Sequence, residues 1–121
     1  MFRTELDAGK NLLRIFFSGN VSAEEARRCA EQAASLIATL SAGFRLVSDL
    51  SELELMDVAC APHVERMMDI CNQHGVESVV RIIPDPHKDI GLNIMSLFHY
   101  GRQVRIVTCE TRTEAERILS S

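Results

Sequence analysis

The spacing of hydrophobic and polar positions changes several times along the chain, and each change marks an element. Residues 2–8 alternate, with Phe2, Thr4 and Leu6 set against Arg3, Glu5 and Asp7. A period of two predicts a half-buried strand. Ala8-Gly9-Lys10-Asn11 reads as a hairpin turn. Leu12–Phe17 is nearly continuous apolar, as a central strand is, and Ser18-Gly19-Asn20 is expected to end it.

From Ser22 the period becomes helical. Ser22-Ala23-Glu24-Glu25 is a capping box, in which the serine oxygen accepts from the backbone three residues on and the glutamate reaches back. Ala26, Ala30, Ala33, Ile37 and Leu40 then form a single stripe. Small side chains on that face let the helix lie close on a sheet, and Gly43 is a natural stop. The strand–helix unit repeats. Phe44–Asp49 is a strand, and a helix near residues 60–74 turns Val64, Met67, Met68 and Cys71 inward, with Pro62 in its first turn and Gly75 after its end. Val79–Ile83 is a strand closed by Pro84. A short helix near 89–99 is expected to bury Ile90, Ile94, Leu97 and Phe98. Val104–Thr108 is the last strand. A second capping box, Thr111-Arg112-Thr113-Glu114, opens a helix carrying Ala115, Ile118 and Leu119.

The order ββαβαβαβα predicts an α/β fold: one mostly parallel sheet of about five strands with right-handed crossovers and an antiparallel first strand at an edge. No linker or low-complexity segment interrupts it, so residues 1–121 read as a single domain.

Composition narrows the function. Thirteen basic against seventeen acidic residues give a net charge of −4, with 5% aromatics and no Trp, a poor match to a phosphate backbone. No nucleic-acid partner is expected. No apolar run approaches the ~20 residues that span a bilayer, and Met1–Glu5 lacks the basic start of a signal peptide. A cytoplasmic location without membrane insertion is expected. Cys29, Cys60, Cys71 and Cys109 show no Cys-x-x-Cys spacing and read as buried thiols. Glycine-rich nucleotide loops, nucleophile elbows and His-Glu-x-x-His are absent. No cofactor or metal is expected, and enzymatic activity is not favoured.

Asp49-Leu50-Ser51-Glu52-Leu53-Glu54-Leu55-Met56-Asp57 ends the third strand and leads toward the next helix. The segment, together with the element order, resembles the STAS-domain family of anti-sigma-factor antagonists. In that family an Asp-Leu pair at a strand end is followed eight residues later by a second Asp. That Asp opens an Asp-Ser-Ser-Gly-type motif whose serine is phosphorylated to release a partner. The resemblance implies helices mainly on one sheet face and a protein-interaction surface at Asp49, Asp57 and Val58. Here Val58, Ala59 and Cys60 follow Asp57, so no hydroxyl stands at the phosphoacceptor position. Without it, the charge-adding switch cannot operate. Asp57 reads equally as a turn or cap residue.

Two further features stand out. Pro84-Asp85-Pro86-His87-Lys88-Asp89-Ile90-Gly91 lies at the carboxyl end of the sheet, where open α/β folds place ligands. Arg81, Asp85, His87 and Lys88 are therefore candidates for a small anionic ligand or for catalysis, against a reading as a solvated loop with Asp89 capping the next helix. Each core strand also carries one arginine, Arg14, Arg45, Arg81 and Arg105. Fully covered strands exclude arginine, so one sheet face is expected to be incompletely covered. Three readings stay open: a face paired internally, with Glu5 and Asp7 as partners; a dimer or partner surface; or an anion patch. His99 and Tyr100 are expected at a helix end, His99 meeting the last carbonyls.

Overall fold

The computed structural model describes residues 1–89 and 91–120, without the side chains of Pro86 and Lys88. Five strands form one sheet in chain order: β1 (Phe2–Asp7), β2 (Leu12–Val21), β3 (Arg45–Met56), β4 (Ser78–Ile82) and β5 (Arg105–Cys109). The first pair is antiparallel and the other three are parallel. The four helices are α1 (Ala23–Ile37), α2 (Ala61–Gln73), α3 (Leu92–His99) and α4 (Arg112–Ser120).

The helix layers follow from the strand order. Each parallel connection steps to the adjacent strand in the same direction. Right-handed crossovers then put α1, α2 and α3 on one face. Leu13, Ile15, Phe17, Leu46, Leu50 and Val79 meet these three helices there. Ala26, Ala30 and Ala33 of α1 are all buried, which allows the close approach expected of an alanine stripe. The opposite face is narrower. Leu12, Val47, Val80, Ile82 and Cys109 are covered by Ala115, Ile118 and Leu119 of α4.

Two strands run longer than their apolar cores. β2 continues through Ser18-Gly19-Asn20 to Val21, and β3 continues to Met56. Register shifts beside Phe16/Ser18 and Gly19/Asn20 absorb the extra residues, with Gly19 at φ 62°. Beyond the reach of β1 and β4, residues 18–21 pair with residues 52–56 as a two-stranded arm. The third strand therefore ends at Met56, and its turn begins at Asp57.

The stripe on α3 is reversed from expectation. Ile94, Leu97 and Phe98 are 66%, 80% and 78% exposed, whereas Leu92 and Ser96 are buried. Ile90 lies outside the described residues.

Candidate functional site

The tip of the β2–β3 arm is built by Asp57 and Val58. The Asp57 N–H donates to the Val21 carbonyl at 3.1 Å, which anchors the end of the arm. Its carboxylate accepts from the Ala59 N–H at 2.8 Å and starts a 3-10 turn, Val58–Cys60, that leads into α2. Asp57 is thus the cap residue that its type predicts. Capping fixes the turn with Val58 pointing outward, 83% exposed. Beside it lies a groove of about 230 Å³ lined by Met56, Val58, Val64 and Met95.

Asp49 does not join this surface. Eight residues of mostly extended chain, up to about 26 Å of strand rise, separate it from Asp57. Asp49 is 2% exposed. It accepts from the N–H and hydroxyl of Ser51 and from Arg112 Nε of α4 at 2.6 Å. Burial alone would push its carboxyl up, but the Ser51 hydroxyl and N–H and then Arg112 outweigh it, and the group is held below its usual range. Asp49 ties β3 to α4.

The four ligand candidates also separate. Arg81 is 2% exposed, in the core between the sheet and α3. Its guanidinium donates to Ser96 Oγ at 2.5 Å and to Asn93 Oδ1 at 3.4 Å. Asp85 and His87 are exposed, and the Asp85 carboxylate accepts from the His87 N–H at 3.0 Å, a local turn contact. The Lys88 side chain lies outside the described residues. The Asp89 carboxylate accepts from the Asn93 N–H in the first turn of α3 at 3.3 Å, from outside the helix, whose N-cap is Gly91 and not the expected Asp89. No cluster of Arg81 with the loop is formed among the described side chains.

Strand parity explains the other arginines. Arg14, Arg45 and Arg105 share the α4 face with Val47 and Val80. Arg14 pairs with Glu116 at 2.9 Å, and Arg45 donates to the Leu119 carbonyl at 2.7 Å. The first strand does not supply their partners: Glu5 meets Arg3, and Asp7 accepts from the Lys10 N–H. Three arginines therefore lie under or beside α4, and the fourth is on the opposite face.

Sequence spacing did not reveal one cluster. His99 lies between two carboxylates of α2, with Nδ1 at 2.7 Å from Asp69 and Nε2 at 2.6 Å from Glu65. Asp69 and Glu65 are four apart on one helix face, which was the available signal. His99 thus clasps α3 to α2 instead of meeting its own helix's carbonyls. The Asp69 hydrogen bond, against a smaller desolvation effect and aided by Glu65, raises the imidazole above its usual value. A raised folded pKa means that this stabilisation is complete below the unfolded pKa, about 6.5, and is lost as pH rises through the folded one. The expected result is an NMR titration midpoint for His99 above 6.5, and a stability that falls from pH 6 to pH 8 more in wild type than in His99→Gln. A midpoint at or below 6.5 would sink this account.

All four cysteines are free and buried. Burial pushes the Cys29 and Cys71 thiols up to about 12, so neither is a nucleophile at neutral pH. Among the described residues, no three His, Cys, Asp or Glu side chains converge to hold a metal ion, and no helix is long and apolar enough to cross a membrane.

No family model matches the chain, and no curated protein matches it in sequence. Solved structures do match. The anti-sigma factor antagonist SpoIIAA in its unphosphorylated form superposes with a TM-score of 0.65 at 15% identity, over 100% of this chain and 99% of the other. An uncharacterised DUF3478-family protein with a SpoIIAA-like fold, from Shewanella loihica, gives 0.73 at 13% identity over 98% and 93%. An anti-sigma factor antagonist from Mycobacterium paratuberculosis gives 0.63 at 15% identity over 100% and 96%. With its five strands in chain order, the first antiparallel, and four helices, this chain has the SpoIIAA-like fold.

Proposed function

We propose that the chain is a non-catalytic regulatory module, acting in the cytoplasm, that binds a protein partner at the turn held by Asp57, through contacts of Met56 and Val58, and has no phosphorylation switch. Val58 carries this reading. It is 83% exposed at the first position of a capped turn, beside an apolar groove. The STAS resemblance puts the phosphoacceptor serine at this position. Solved structures of the same fold are described as anti-sigma factor antagonists, which supports a regulatory, protein-binding role for the chain. With valine in that place, binding is constitutive and governed by apolar contact. Asp57 serves by holding the turn and not by touching the partner.

Val58→Glu tests this. The side chain is exposed, so stability is expected to stay within about 0.5 kcal/mol of wild type. A carboxylate on a desolvated contact is expected to weaken the partner at least tenfold. The measurement is biolayer interferometry against the protein captured by the wild-type chain from native extract, with Val58→Ala as a mild control. Equal affinity for wild type and Val58→Glu would refute the surface. A second copy as occupant would appear instead as a dimer in sedimentation, lost in Val58→Glu.

A further inference from the structure

Arg81 is a buried cation that forms no ion pair among the described residues. Its two hydrogen bonds go to neutral groups, the Ser96 hydroxyl and the Asn93 amide oxygen. Ser96 in turn donates to the Leu92 carbonyl at 2.7 Å, so that path ends on backbone and not on an acid. Asp89 acts on Arg81 only at a distance, without an ion pair. A guanidinium has five N–H donors, and desolvating it without an anion is unfavourable.

A cavity of about 40 Å³ adjoins this group. Its polar lining is Arg81, Ser48 and Tyr100; the rest is apolar, including Val64, Val79 and Leu92. Tyr100 is held protonated, chiefly by burial, and its hydroxyl lies against the Cys71 thiol. Met56 and Val64 line both this cavity and the groove beside Val58, so two side chains separate the cavity from the surface. Methionine is flexible enough to yield.

We propose that Arg81 and Ser48, with Tyr100 in the cavity wall, bind a small monocarboxylate of about the size of acetate. The sign follows from the lone guanidinium, and the single charge matches one cation. The planar fork geometry shared by guanidinium and carboxylate favours a carboxylate among small anions. A volume of about 40 Å³ leaves room for only a few non-hydrogen atoms, which excludes a phosphate ester or a sugar. The apolar wall takes the methyl group. The site shares Met56 with the partner surface, but its test does not depend on a protein binding at Val58.

The test is a thermal-shift titration in a zwitterionic buffer with sodium acetate, against acetamide and sodium chloride at matched ionic strength. Acetate is expected to raise the Tm of wild type by about 5 °C at roughly ten times its Kd, and the neutral isostere and chloride are expected to give no shift. Arg81→Met is expected to melt at or above the ligand-free wild type, because it removes a buried charge that has no ion-pair partner among the described residues, and to show no response to acetate. A wild-type response equal to that of chloride, or an undiminished response in Arg81→Met, overturns the site. Should Arg81→Met fail to fold, Ser48→Val keeps the guanidinium and fills the cavity. Loss of the acetate response in that variant supports the site, and its persistence overturns it.

Discussion

Asp49→Ala is expected to destabilise the protein by about 3 kcal/mol, the largest loss among its polar residues. The substitution deletes three accepted hydrogen bonds at once. The Ser51 N–H and hydroxyl lose their partner in a part-buried place, and Arg112 loses its closer carboxylate, keeping only Glu52 at 3.4 Å. Urea unfolding followed by far-UV circular dichroism measures the loss. A change below 1 kcal/mol would show that the network is dispensable. The acid limb gives an independent check. A carboxyl held below its usual range contributes stability that is present above the unfolded value, about 3.9, and is lost as pH falls through the folded one. Asp49→Asn is therefore expected to have a flatter stability profile below pH 4 than wild type.

Phe44→Ala is expected to cost about 4 kcal/mol, the range for emptying a fully buried aromatic site. Phe44 is 0% exposed and leads into β3. Its ring lies 5.9 Å from that of His74, tilted by 56°, and His74 Nε2 contacts the Leu40 carbonyl at 2.6 Å. The Phe44 carbonyl also accepts from the Glu77 N–H at 2.8 Å, so the ring fills the junction of α1, α2 and the start of β4. The comparison that decides the cause is Phe98→Ala. Phe98 is 78% exposed, and its loss is expected to change stability by less than about 0.5 kcal/mol. Similar costs for the two variants would mean that burial is not what Phe44 supplies.

The fold was legible because period alone separates strands from helices, and the alternation fixed a parallel sheet. What resisted was which face each residue takes. On α3, Ile94, Leu97 and Phe98 form a proper apolar stripe at helical spacing, yet the inward stripe is Leu92, Ser96 and His99. Two of those three are polar because they meet polar groups, Ser96 facing Arg81 and His99 facing Asp69 and Glu65. A pattern that scores hydrophobicity cannot find a helix whose buried face answers charge. Arg81 itself is one residue past Val80, and that single step moves it to the opposite face from Arg14, Arg45 and Arg105. The Asp49–Asp57 segment carried a true likeness of fold. Its two acids share no site, because β3 continues between them as the exposed arm.

The sheet adds its strands in the order in which they occur along the chain. Every strand meets its predecessor across one hairpin or one helix, so no pairing waits for a distant segment. Sequence separations between paired strands stay short, which lowers the loop-closure cost at each step and favours rapid folding for a largely parallel topology. The same order suits synthesis on the ribosome: β1, β2 and α1 can associate before β3 emerges, and each later βα unit finds a formed edge to join.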